Sequence, residues 1–91
     1  MKFSWSASKR ASNLRDHGLD FVDACRVFCG WTVTFEDDRF AYGEQRFHTL
    51  GLLDGVPVSV IHTEHEDAIH IISFRKATKR EAALLFQQLP H

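Results

Sequence analysis

The chain has 91 residues, of which 44% are hydrophobic and 25% are charged, a composition typical of a single globular domain over residues 1–91 rather than of a disordered chain. Eleven Lys and Arg against twelve Asp and Glu give a formal net charge of -1, so the total charge does not by itself indicate a nucleic-acid-binding protein. There is no signal-peptide pattern and no apolar stretch long enough to span a bilayer, which predicts a cytoplasmic protein without a membrane partner.

The first half of the chain is predicted to contain two helices between two strands. Ser6 is a suitable N-cap for the first helix, which Gly18 ends, and the alternating β-branched and aromatic residues before the acidic loop predict a strand. The predicted elements are a strand at Lys2–Trp5, a helix from Ser6 to Asp16, a helix from Asp20 to Gly30, a strand at Trp31–Phe35, and the acidic loop Glu36–Glu44.

The second half is predicted to form an antiparallel meander followed by a helix. The strands are expected at Gln45–Leu53, Val56–Thr63 and Ala68–Phe74 or Arg75. Asp54-Gly55 is a hairpin signal, because a type I′ turn needs positive φ at both central residues. Thr78 and Glu81 form a capping box that opens the last helix. The order β-α-α-β-β-β-β-α predicts an α+β two-layer sandwich, with a mainly antiparallel sheet, helices on one side, and the other sheet face left for a ligand or partner.

Three polar residues at the ends of predicted elements are candidate site residues. His62 ends an apolar row on the second meander strand, and Arg75 is predicted to share a face with Ile69, Ile71 and Ser73 on the third. His17 lies at the end of the first helix, where the helix dipole favours an imidazolium that could hold a phosphate. Each has a structural alternative: a hydrogen-bonded histidine in the core for His62, a solvated strand end for Arg75, and a helix cap for His17.

A metal site and a serine hydrolase site are both weakly supported. The dense group His62, Glu64, His65, Glu66 and His70 matches no helix-borne zinc spacing, and part of it falls on a turn, where charged residues usually face water. There is no G-x-S-x-G motif and no Gly-rich phosphate loop. We therefore expect neither a metal nor another cofactor.

Three groups of residues, taken in chain order, resemble the BrnT toxin family. The first group is Phe3-Ser-Trp5, Lys9, Asn13, His17-Gly18, Phe21, Ala24 and Phe28. The second is Asp38-Arg39, Tyr42-Gly43-Glu44, Arg46 and Leu50-Gly51, and the third is Thr63, Ile71-Ile72-Ser73, Arg75, Ala77-Thr78 and Glu81. The chain departs from the family pattern at Ser6, at Phe74, and at His65 and His70, where the family has arginine.

The resemblance implies a RelE-like fold and a ribonuclease toxin of a type II toxin-antitoxin system, which cleaves RNA without a metal and inhibits translation. It also implies a BrnA-like antitoxin with a ribbon-helix-helix part, contact with operator DNA only through that antitoxin, and a hetero-oligomer that we expect to be 2:2. The antitoxin is expected to cover the exposed sheet face or a basic groove, since that would block RNA.

Metal-free RNA cleavage needs a base, an acid and cations over the phosphoryl oxygens. The hypothesis assigns RNA phosphate binding to Lys9, Arg46 and Arg75, acid-base chemistry to His17 or His62, and an alternative base to Glu44, with Arg75 also stabilising charge. Histidine in place of arginine at His65 and His70 is expected to lower activity or to move it to a more acidic optimum. The alternative hypothesis is a catalytically weakened toxin-like protein that only binds the antitoxin-DNA complex.

Overall fold

The computed structural model describes residues 1–38 and 43–90, which form five strands and three helices. In chain order these are β1 (Lys2–Trp5), α1 (Ala7–His17), α2 (Phe21–Val27), β2 (Val33–Asp37), β3 (Arg46–Leu53), β4 (Val56–His65), β5 (Ala68–Lys76) and α3 (Lys79–Gln88). The predicted α+β class and element order are confirmed. None of the helices in these ranges is long and apolar enough to cross a membrane.

Most local signals in the sequence act where they were predicted to act, although α2 ends at Val27 rather than at Gly30 and β2 spans Val33–Asp37 rather than Trp31–Phe35. The Ser6 side chain accepts a hydrogen bond from the backbone of Lys9, and Gly18 ends α1 with a φ of 72°. The hairpin between β3 and β4 turns at Asp54-Gly55, with φ angles of 50° and 82°. The predicted capping box at the start of α3 is present. These turns and caps fix where the chain reverses, and hence which strands become neighbours.

The sheet has the strand order β1-β5-β4-β3-β2, in which β1 runs parallel to β5 and the other pairs are antiparallel. Strand β1 ends at Trp5, opposite Ile71, so the rest of the β5 edge needs another partner. Asn13 of α1 supplies it, because its side chain donates to the carbonyl of Phe74 at 2.7 Å and accepts from the Phe74 N–H at 3.0 Å. Helix α1 is therefore fixed along the edge of β5.

A β-bulge in β5 changes which side chains share a face. Ile61 of β4 pairs with Ser73, whereas the next residue of β4 pairs with Ile71, so Ile72 has no counterpart. Because side chains alternate along a strand, one extra residue moves everything after it to the opposite face. The prediction that Ile69, Ile71, Ser73 and Arg75 share one face is wrong for this reason. Ile69 and Ile71 lie in the core with Phe74, and Ser73 and Arg75 point to the other side.

The two faces of the sheet are covered by different helices. On the core face, Val58, Val60 and the apolar side chains of β5 pack against Phe21, Ala24 and Val27 of α2. The opposite face, called the α3 face below, carries the buried side chains of Leu50 and Ile61, and α3 crosses it with Leu85 completely buried. Helices α1 and α2 thus lie on one side as expected, while α3 lies on the other, because the second face also has apolar side chains to remove from water.

Candidate active site

Four polar side chains meet on the α3 face beneath the first turn of α3. Arg75 donates two hydrogen bonds to the Glu81 carboxylate, from Nη1 to Oε1 at 2.8 Å and from Nη2 to Oε2 at 3.0 Å. His48 Nε2 lies 3.4 Å from Glu81 Oε2 and is hydrogen bonded to Ser59 Oγ. The register brings them together, since Ser59 pairs with Arg75 on one side and with Leu50, two residues after His48, on the other. These four residues are called the polar cluster.

Glu81 is the central residue of the polar cluster and also caps α3. Its Oε1 accepts a hydrogen bond from the backbone N–H of Thr78 at 2.9 Å, which completes the capping box. The hydrogen bonds from Arg75 lower the pKa of Glu81 to about 2, against the opposing effect of burial. The carboxylate therefore stays ionised at neutral pH and holds the Arg75 guanidinium in place.

A polar strip extends from the cluster across the α3 face toward β1. Thr63, His70 and Ser4 are cross-strand neighbours on β4, β5 and β1, and Ser4 Oγ is 2.9 Å from His70 Nδ1. His70 and Ser4 are exposed, and Thr63 is half-buried. Arg46 continues the strip on β3, because the next residue, Phe47, pairs with the residue before Thr63. Arg46, Thr63, His70 and Ser4 are called the open strip.

A second polar cleft, of about 140 Å³, lies where α1 runs along the β5 edge. It is lined by Lys9, Ser12, Asn13, Asp16 and His17 of α1 and by Ile72 and Ser73 at the bulge. The predicted phosphate-binding residue Lys9 and the predicted acid-base residue His17 thus line the same cleft. Ser73 connects this cleft with the α3 face, on which Arg75 also lies.

His62 is not brought to either surface. Its side chain is completely buried on the core face, where its Nε2 is hydrogen bonded to Thr49 Oγ1 at 2.7 Å and its ring packs edge-on against Phe28 at 5.2 Å. Burial lowers the pKa of His62 to about 4, so the ring is neutral at pH 7. This geometry fits the structural alternative, a hydrogen-bonded core histidine.

The remaining residues of the hypothesis lie around the acidic loop. Glu44 is 3.8 Å from Arg46, measured from Oε1 to Nη2. Arg39 and Tyr42, which contribute to the family resemblance, lie outside the described residues. Within 1–38 and 43–90, no three His, Cys, Asp or Glu side chains form a group that could hold a metal ion.

Sequence reasoning missed His48 and Ser59 as members of the site. The signal that could have found His48 is the alternation along β3, which places Arg46, His48 and Leu50 on one face. Glu81 was recognised as a capping residue, but its pairing with Arg75 depends on α3 folding back over the sheet, which no local pattern encodes.

The comparisons with known proteins agree with this architecture. The family described as "Ribonuclease toxin, BrnT, of type II toxin-antitoxin system" matches residues 5–81. The crystal structure of the Brucella abortus ribonuclease toxin BrnT is similar, with a TM-score of 0.70 and 29% sequence identity over 87% of this chain and 99% of that one. No curated protein matches the sequence. The fold and family define a ribonuclease toxin of a type II toxin-antitoxin system. The chain belongs to the BrnT family, which confirms the resemblance.

Proposed function

We propose that the chain is a metal-independent endoribonuclease that binds RNA along the open strip of the α3 face, and that its activity inhibits translation. The observation that carries this proposal is that Arg46 and Arg75, which are far apart in the sequence, lie on the same sheet face with exposed polar surface beside them. Arginine suits this position because its planar guanidinium pairs with two oxygens of one phosphate.

The chemistry follows from what phosphodiester cleavage needs. The RNA 2′-hydroxyl loses a proton and attacks the neighbouring phosphorus, the bond from phosphorus to the 5′-oxygen breaks, and that oxygen takes up a proton, which leaves a cyclic phosphate. Arg46, Arg75 and Lys9 stabilise the charge that builds up on the phosphoryl oxygens. His17, in the cleft between α1 and the β5 edge, and Glu44, beside Arg46, are the groups proposed to exchange protons with the RNA. His48 is added to the proposed site residues because it contacts Glu81.

Cleavage of RNA by the purified chain tests the proposal. Removing a charge stabiliser should lower kcat/KM about a hundredfold to a thousandfold, so Arg75→Ala and Arg46→Ala should both lose most activity. Arg75→Lys keeps the charge without the double hydrogen bond and should retain an intermediate level. Arg15→Ala, in which an exposed α1 arginine is removed, is the matched control. Circular dichroism of each variant establishes that it is folded.

Three results would contradict this assignment. Full activity of both Arg46→Ala and Arg75→Ala would remove the proposed charge stabilisers, and loss of activity in EDTA would contradict metal independence. If removal of an exposed arginine such as Arg15 lowered RNA cleavage as much as removal of Arg75, the arginines would attract RNA by general electrostatics and would not form a specific site.

The proposed binding partners follow from the family to which the chain belongs. We propose that a BrnA-like antitoxin with a ribbon-helix-helix part neutralises the chain, that operator DNA is contacted only through the antitoxin, and that the complex is 2:2. Expression of the chain alone should arrest growth, and co-expression of the antitoxin should relieve the arrest. The mass of the purified complex, from light scattering, tests the stoichiometry.

One observation favours a second candidate function, binding without catalysis. Both terminal nitrogens of Arg75 donate hydrogen bonds to the Glu81 carboxylate. Tight antitoxin binding together with no growth arrest and no RNA cleavage would establish this function instead.

A further inference from the structure

A groove of about 480 Å³ lies between β2 and the first turns of α3, beside the polar cluster. Its apolar walls are Phe35 of β2 and Leu84 of α3, whose side chains are 39% and 38% exposed. Exposed large apolar side chains that face each other across a groove are typical of interaction sites. We call this feature the β2–α3 groove.

The charges around the β2–α3 groove do not suit RNA. Asp38 lines it and is exposed, the exposed Glu36 lies beside it on the edge strand β2, and Arg80 is the cation among the lining residues. The other two carboxylates at the groove already lie beside arginines, since Glu81 is bonded to Arg75 and Asp37 is opposite Arg46 in the register. An RNA segment would bring one negative charge per nucleotide to this acidic rim, which is unfavourable.

A protein segment with apolar and basic side chains suits the groove better. Its apolar side chains would remove Phe35 and Leu84 from water, and lysine or arginine beside them would complement Glu36 and Asp38. Strand β2 is also the last strand in the order of the sheet, so its outer backbone edge can pair with an added strand. Sequence reasoning placed the antitoxin on the exposed sheet face or a basic groove, and the groove described here is acidic and apolar.

We propose that the β2–α3 groove is the docking site of the antitoxin, which inserts apolar side chains flanked by Lys or Arg. This inference rests on the toxin-antitoxin pairing in the proposed function. His48 and Glu81 line the same groove, so an antitoxin bound there covers one side of the polar cluster.

Two substitutions on α3 provide a matched test. Leu84→Glu places a charge in the groove, while Phe86→Glu places one on a side chain of the same helix that is 46% exposed and is not part of the groove. The measurement is the Kd of the cognate antitoxin for each variant, by calorimetry. We expect Leu84→Glu to weaken binding at least a hundredfold and Phe86→Glu to change it less than threefold. Equal binding by Leu84→Glu and the unaltered chain overturns the proposal, as does equal weakening by both variants.

Charge reversal separates the antitoxin from RNA as the occupant. The double variant Glu36→Lys/Asp38→Lys should weaken antitoxin binding at least tenfold, with a smaller dependence on salt, while RNA cleavage by the chain alone stays the same or rises. A fall in RNA cleavage with unchanged antitoxin binding would overturn the proposal and assign the groove to RNA. If the unaltered chain cleaves no RNA, the proposed ribonuclease fails, whereas the binding comparison among the variants still decides the docking site.

Discussion

Replacement of Glu81 by glutamine should remove most of the acid sensitivity that the polar cluster gives to the fold. The pKa of Glu81 is about 2 in the folded chain against an ordinary value of 4.5, and each unit corresponds to about 1.4 kcal/mol. The carboxylate therefore contributes up to about 3 kcal/mol of stability, somewhat less because the side chain is 16% exposed. Because the pKa is lower in the folded state, this contribution is complete above about pH 5 and is lost as the pH falls toward 2.

The assay is urea unfolding followed by circular dichroism at several pH values between 7 and 2.5. Glu81→Gln should be about 2 to 3 kcal/mol less stable than the unaltered chain at pH 7, and the difference should shrink steadily below pH 5. Glutamine can still serve in a capping box, so the loss reports mainly on the contact with Arg75. Glu66→Gln, at a side chain that is 87% exposed, is the control and should change neither stability nor its slope. Parallel pH profiles for Glu81→Gln and the unaltered chain would refute this reasoning.

Three further predictions concern α1, the core and the open strip. Asn13→Ala should destabilise the chain by about 2 to 4 kcal/mol, because the Phe74 N–H and carbonyl lose their hydrogen bonds, and Ser12→Ala in the same unfolding assay should cost less than about 0.5 kcal/mol. His62→Gln should lower stability at pH 7 and should remove the pH dependence of stability between about pH 6.5 and 4, where the unfolded chain gains a proton on this histidine before the folded chain does. The kcat/KM of the folded fraction should not change, and a hundredfold loss would restore His62 to the site. His70→Arg should raise RNA cleavage, since a guanidinium on the open strip can bind one phosphate through two hydrogen bonds, and an unchanged rate would contradict a role of this position in RNA binding.

The fold could be predicted to the level of elements and their order because several boundaries have a local cause. The caps at Ser6 and Thr78 and the turn at Asp54-Gly55 act through neighbouring backbone groups, so the sequence alone is sufficient to locate them. The bulge at Ile72 has no such signal. Strand β5 pairs with β4 along its whole length but with β1 only as far as Ile71, and the bulge lies directly after that residue. Its position therefore depends on tertiary structure.

The site was harder to predict than the fold because a residue can belong to the site only if its side chain lies on the right face of the sheet. Arg46 and Arg75, both predicted to bind phosphate, lie on one sheet face, yet the face assigned to Arg75 was wrong, since alternation fails across a bulge. His62 was a candidate because a histidine ends an apolar row, and the structure instead buries it in the core with its Nε2 hydrogen bonded to Thr49. His48 was overlooked because its partner, Glu81, comes from a helix whose position over the sheet could not be inferred.

The first turn of α3 links the two proposed binding surfaces. Glu81 holds Arg75 beside the proposed RNA-binding strip, and Leu84, one turn further, forms a wall of the proposed antitoxin groove. Residues three apart lie on the same side of a helix, so any displacement of this turn by the antitoxin is transmitted to the carboxylate that positions Arg75. Coupling between binding sites is reciprocal, and an RNA that fixes Arg75 must therefore alter antitoxin affinity by the same factor as the antitoxin alters RNA affinity. An antitoxin docked in the β2–α3 groove would then inhibit cleavage without contacting Arg75 if it held α3 in a position that misplaces Glu81.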